Sequence, residues 1–175
     1  MSDLPRIYAA SLADYNCGHL HGVWIDIDET TDVDEVREKI SAMLGDSLAV
    51  IYREAEVAEE YAIHDFDNFQ GFEVHEFESL DRVVTLARLI AEHGKAFAVF
   101  AENLTSGEDI DDIESAFTDQ FVGEMSLEDY AYDYVDECLD LPEIARSYFD
   151  YEKFARDLEL SGDMIEIEGF VFHCR

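Results

Sequence analysis

The sequence predicts an α+β fold, three small domains in series, on three observations. Strand-like runs stand near both ends of the chain, helical periodicities with cap residues fill the middle, and 48% hydrophobic with 13% aromatic content supplies core material for 175 residues. The expected division is an N-terminal antiparallel sheet plus helix over 1–77, a central helical domain over 78–119, and a C-terminal α/β domain over 120–175. The sequence has no internal repeat and no low-complexity linker, so these units should follow one another over short joints.

The elements follow in order. Arg6–Leu12 is β-prone, Asp14–Gly18 supplies turn residues, and His19–Ile27 alternates imperfectly, with Gly22 as a bulge candidate; together they predict a β-hairpin. Asp32 stands three residues before Glu35, and Val33, Val36, Ile40 and Met43 recur at helical spacing until Gly45, which predicts a capped helix on that hairpin. Leu48–Ala58 leans helical without a fixed period, and Glu59–Asp65 reads as a third strand. Ser79 caps a helix carrying Leu80, Val83, Val84, Ala87 and Ile90 on one face and closing at Gly94. Lys95–Asn103 and Asp109–Gln120 continue as helices about a Thr105–Gly107 breaker. Ser126 with Asp129 opens a helix to Leu139, Leu141-Pro142 starts another, Tyr151–Leu160 a third, and Met164–Glu168 and Phe170–His173 finish as strands about Gly169.

Charge narrows the function. The chain carries 43 Asp+Glu against 11 Lys+Arg, a formal charge of −32. Such a field repels phosphate, so it argues against direct nucleic-acid binding, anionic membranes and nucleotide substrates, and points to a basic partner, to cations or to a salty environment. Between Ala96 and Ala145 no Lys, Arg or His occurs, while Glu102, Glu108, Asp109, Asp111, Asp112, Glu114, Asp119, Glu124, Glu128, Asp129, Asp133, Asp136, Glu137, Asp140 and Glu143 all fall there. The bland reading is a solvated helical face. Against it, Asp129, Asp133, Asp136 and Asp140 share one face of the Ser126 helix with no interleaved base, at a cost in stability, while Tyr130, Tyr134, Cys138 and Leu141 share another. Glu128 to Asp140 would place six carboxylates on roughly 20 Å of helix, close to the spacing of about 3.4 Å between phosphates of one DNA strand. The whole charge equals that of about 16 base pairs. A decoy of duplex DNA is physically reasonable, with Asp109, Asp111, Asp112, Glu114, Asp119, Glu124, Glu128, Asp129, Asp133, Asp136, Glu137 and Asp140 as the carboxylates standing in for phosphates.

Rival uses are weaker. Asp109–Gln120 begins like a calcium loop but has Glu114 in place of the turn glycine and Gln120 in place of the closing glutamate. Cys17, His19 and His21 could share a zinc ion but lack a second ligand pair nearby, so surface histidines on a hairpin are the simpler reading. His64 beside Asp65 and Asp67 could be a tuned acid or base, yet a strand-end histidine satisfied by a carboxylate is the commoner case. No nucleophile elbow, Cys-His signature or phosphate loop occurs, so no enzyme, metal or cofactor is expected. The three scattered cysteines fit a reduced cytosol, and the N-terminus fits no secretory signal. Halophilic adaptation, or an acidic adaptor that binds a protein through an apolar seam, is the alternative; it predicts a dispersed rather than a blocked surplus of acid.

Four segments, Ile7–Asn16, Gly18–Asp26, Glu59–Asp65 and Tyr148–Leu160, together resemble the ArdA antirestriction proteins over nearly the whole chain. The resemblance implies an elongated, three-domain, dimeric protein of the cytoplasm that imitates bent B-form DNA, occupies the DNA-binding groove of type I restriction-modification enzymes, and does no chemistry. It also implies that an antirestriction motif falls on about Glu137–Asp150, near a dimer contact. Leu139, Leu141, Ile144, Tyr148 and Phe149 then become the candidate seam, with ordinary core as the competing reading. Relative to shorter relatives, Leu48–Ala58 resembles an insertion.

Overall fold

The computed structural model describes residues 4–104, 110 and 112–174. The chain divides into two compact units, 1–110 and 111–175. Both are mixed α and β, each built on a three-stranded antiparallel sheet.

In the first unit β1 (Arg6–Ser11) is central, with β2 (Gly22–Asp26) and β3 (Tyr61–Asp67) antiparallel on either side. Ile7, Ala9 and Ile25 turn inward, and α2 (Val33–Gly45) covers that face with Val36, Ile40 and Met43. The Asp32 side chain caps α2 by accepting from the Asp34 N–H. α4 (Leu80–His93) and α5 (Lys95–Asn103) have the expected bounds. α4 is tied to the sheet-bearing part by Arg37 to Asp81 at 2.7 Å and by the Arg88 guanidinium donating to the Glu29 carbonyl.

Three details differ from expectation. The Asp14–Gly18 turn region belongs in part to a short helix, α1 (Leu12–Asn16), because the Ser11 hydroxyl caps it at the end of β1. The bulge lies in β3, since Tyr8 faces Asp65 while Ala9 faces Ile63, leaving His64 as the extra residue. Gly22 instead answers a close approach: a Cβ there would meet the Ala9 carbonyl at 2.6 Å and the Tyr8 ring at 2.7 Å. Leu48–Ala58 holds one short helix, α3 (Leu48–Ile51), followed by turns.

Asp14 links α1 to α3. It is fully buried, accepts from the Ser11 hydroxyl at 2.5 Å and from the Ala49 N–H at 2.9 Å, and so satisfies the first turn of α3 from outside. Burial alone would push its carboxyl up. Hydrogen bonds from Ser11, the Ala49 N–H and Ser47, with His21 nearby, bring it instead from 3.8 down to about 2.

In the second unit β6 (Phe170–His173) is central between β4 (Phe121–Glu124) and β5 (Met164–Ile167). Glu168 and Gly169, at φ +51° and +83°, form the two-residue turn between β5 and β6. β4 has no sequence signal, being four residues that follow a helix directly and include Gly123. α6 (Ile113–Gln120) precedes it, and Phe117 stacks on Phe121, which meets Phe172 at 5.6 Å. α7 (Leu127–Cys138) packs on α9 (Tyr151–Ser161) over Leu127, Ala131, Ala155, Met164 and Val171. A short α8 (Glu143–Arg146) lies between them in sequence.

Two stability measurements check this packing. Gly22→Ala should destabilise the fold by about 1–3 kcal/mol in urea denaturation, because backbone rather than a flexible side chain occupies the space. The stability difference between the natural chain and Asp14→Asn should be full above about pH 4 and shrink as pH falls toward about 2, since the folded carboxyl titrates below the unfolded one. A difference that stays constant across that window would show that the Asp14 charge contributes nothing.

Candidate functional site

Acid is densest in the second unit. Residues 111–175 hold 19 Asp+Glu against 4 Lys+Arg, whereas residues 1–110 hold 24 against 7. In the first unit much of the charge is locally answered: Arg6 pairs with Asp67, Arg37 with Asp34 and Asp81, Lys39 with Glu35, and Arg82 with Glu78.

α7 carries the central part of the block. Leu127, Ala131 and Val135 form its buried stripe at i, i+4 and i+8, and Asp129, Asp133 and Asp136 are exposed on the opposite face. Glu128 and Glu137 are exposed as well. Tyr130 and Tyr134 flank the stripe rather than forming it, and Cys138 is exposed, so the apolar face expected through Tyr130, Tyr134 and Cys138 is displaced by one position. Burial pushes the Tyr130 phenol up, with Tyr134 and Cys138 adding to the rise.

The carboxylates are not equivalent. Asp129 and Ser126 form a reciprocal capping box, and Glu166 on β5 accepts from the Leu127 N–H at 2.7 Å, so two acids hold the N-terminus of α7. At the other end Arg146 donates to the Asp136 carboxylate, to the Asp136 carbonyl and to the Leu141 carbonyl. One guanidinium thus ties the turn after α7 back to the helix and answers Asp136. The side chains of Glu124, Glu128, Asp133, Glu137 and Asp140 make no hydrogen bond or ion pair among the described residues.

α7 ends at Cys138 with Leu139 extended, because Pro142 has no N–H to donate and its ring would strike the preceding turn. Asp140 therefore lies beyond the helix. The even ladder from Glu128 to Asp140 expected of one continuous helix becomes five carboxylates on about 18 Å of α7, one of them paired. Elsewhere in the block Asp112, Glu114, Asp119 and Glu124 are exposed, while Asp109 and Asp111 lie outside the described residues.

The candidate seam splits into two kinds of residue. Phe149 packs on Tyr151 and Phe154, and Leu139 and Leu141 are half-buried, whereas Ile144 is 73% and Tyr148 86% exposed. Tyr132 stacks on Tyr151 at 3.6 Å beside them.

The other candidates of the sequence are committed elsewhere. His19 pairs with Glu54 at 2.6 Å and His21 meets the Met43 carbonyl at 2.7 Å, and among the described residues no metal-holding cluster joins them to Cys17. His64 lies within β3, not at its end, 3.9 Å from Glu76 and edge-on to Tyr15. Among the described residues no helix is long and apolar enough to cross a membrane.

The family model for antirestriction protein (ArdA) matches residues 7–172. The chain belongs to the ArdA antirestriction family. It is thus an antirestriction protein, of a family that acts against restriction-modification enzymes and comprises inhibitors rather than known enzymes. The ArdA match spans both units, including the sheet of the first and the acidic helices of the second. No curated protein matches the chain.

Arg146 and Glu166 were not legible as partners of α7. Glu166 is 39 residues from the N–H it caps, so no local pattern announces it. Removing acids should separate their roles. Asp129→Ala should cost about 0.5–1.5 kcal/mol of stability by loss of the reciprocal half of the capping box, the Ser126 hydroxyl still accepting from the backbone N–H of residue 129, whereas Asp133→Asn should leave stability unchanged or raise it by a few tenths, both read by thermal denaturation at low salt.

Proposed function

We propose that this ArdA protein inhibits type I restriction-modification enzymes by occupying their DNA-binding groove as an acidic mimic of duplex DNA. The observation that carries this reading is the exposed, unpaired acid set of the second unit: Glu128, Asp133 and Glu137 on α7, with Glu124 before it and Asp140 after it in sequence. Carboxylates held on a rigid helix in place of phosphates would engage the Arg and Lys of a DNA groove, and displaced counterions would supply much of the affinity. Asp109, Asp111, Asp112, Glu114 and Asp119 are further candidate phosphate-mimicking carboxylates from their place in the acidic block. Asp129 and Asp136 contribute field while holding α7 in place. The action needs no catalysis, cofactor, metal, membrane or direct nucleic-acid contact, and it takes place in the cytoplasm where the target enzymes act.

A homodimer belongs to the same reading. Ile144 and Tyr148 expose apolar surface between acids, and a second copy covering them, together with Leu139, Leu141 and Phe149, would lengthen the charged surface without adding chain. The finer division into domains 1–77, 78–119 and 120–175 would let that surface follow a bent duplex.

Competition decides the mechanism. Duplex DNA and this protein should exclude one another from a type I enzyme, with binding weakening steeply between 50 and 200 mM salt. A ternary complex with both in place would overturn the reading and favour an adaptor that binds through the apolar seam. Single neutral substitutions at Glu128, Asp133 or Glu137 should each change inhibition less than about fivefold, while the triple change should lower it by more than an order of magnitude. Tyr148→Glu with Ile144→Asp should shift sedimentation from dimer toward monomer with the circular dichroism spectrum retained.

A further inference from the structure

The outer face of the first unit's sheet has a chemistry different from that of the acidic helices. Cross-strand register sets Asp26, Arg6 and Asp67 in one row and Trp24, Tyr8 and Asp65 in the next. Residues directly opposite across antiparallel strands share a face, so these six form one platform. Tyr8 and Trp24 lie 5.4 Å apart at 45°, and Trp24 is 41% exposed. An aromatic pair this open on a sheet face is not core.

The platform already holds one guanidinium. Arg6 stands over the Trp24 ring at 4.6 Å from its centroid and donates from Nε and Nη2 to one Asp67 oxygen at 3.2 and 2.7 Å. Ring face and carboxylate together are the combination that favours a planar guanidinium over an ammonium, which lacks the stacking plane and the fork of donors. Asp26 and Asp65 remain: neither has an ion pair among the described residues, and Asp65 accepts only from the adjacent Phe66 N–H. The face thus presents three carboxylates with one internal cation, beside aromatic surface that Arg6 does not cover.

We propose that this sheet face is a second docking surface, for arginine side chains of a basic protein partner, with Trp24 and Tyr8 as the stacking plane and Asp26 and Asp65 as the receiving carboxylates. Charge complementarity selects that occupant: a protein at −32 repels acidic partners, and two open carboxylates beside a ring call for a guanidinium. The surface lies in the first unit and uses no residue of the acidic block, so it stands or falls separately from DNA mimicry.

Trp24 is the chain's single tryptophan, so its emission reports on this face alone. The full-length protein is titrated with tetra-arginine and, separately, tetra-lysine at equal ionic strength. The expected result is a saturable change in Trp24 emission with an apparent Kd about two- to fivefold lower for tetra-arginine. Asp26→Asn with Asp65→Asn should raise the tetra-arginine Kd severalfold, whereas Asp133→Asn with Glu137→Gln should leave it unchanged. Arg6→Ala should lower it, because the occupied ring face and Asp67 become open. Equal Kd values for the two peptides, no change in emission, or a response lost only with the Asp133 and Glu137 changes would overturn the proposal. If the Asp26 and Asp65 variant fails to fold, the comparison of peptides on the natural chain decides alone.

Discussion

Repulsion among 43 carboxylates, answered by only 11 Lys and Arg, is the constraint to which every other feature of this fold responds. α7 gathers like charge along one side with no cation of its own, while helices of the first unit answer part of theirs locally. The compensating terms are therefore concentrated. Apolar stripes such as Leu127, Ala131 and Val135 are fully committed to cores, and the cations tie separate segments together, Arg37 to Asp81, Arg6 to Asp67 and Arg146 to Asp136. Raising the salt should strengthen the fold by screening the repulsion while weakening any partner held by the same charges.

Carboxylates in this chain divide by what they touch. Asp14 is buried and anchors two helices, Asp32, Ser126 with Asp129, and Glu166 hold helix N-termini, and Asp136 receives a guanidinium. Glu128, Asp133 and Glu137 face solvent on the same helix that Asp129 caps. An acidic composition thus serves folding and surface field at once, and neighbouring residues in sequence can belong to opposite groups.

Much of this was legible before the structure. The helices from Asp32, Ser79 and Ser126 announced themselves through residues of capping type and those from Lys95 and Tyr151 through helical pattern, since both signals are local, although Ser79 stands at the start of α4 without a side-chain cap bond. Features set by distant contacts were not. β4 exists because β6 pairs with it across some fifty residues, and the bulge at His64 is fixed by its partner strand, not by a glycine. The acidic block was readable as composition. Its interruption after Cys138 falls one residue before the helix end expected at Leu139, and Pro142 is the residue behind it. Arg146 falls just past the block, and only the folded turn shows which acid it answers.

The Arg146 contacts bear on how such a surface can diverge. Aspartate and glutamate are interchangeable at an exposed, unpaired position, so Asp133 or Glu137 can drift between the two with the field intact. A guanidinium that binds one carboxylate and two carbonyls has no substitute, lysine included. In this chain the immobile positions are the scarce cations. Related proteins can differ at nearly every charge they present to a partner while keeping the few that let them present it.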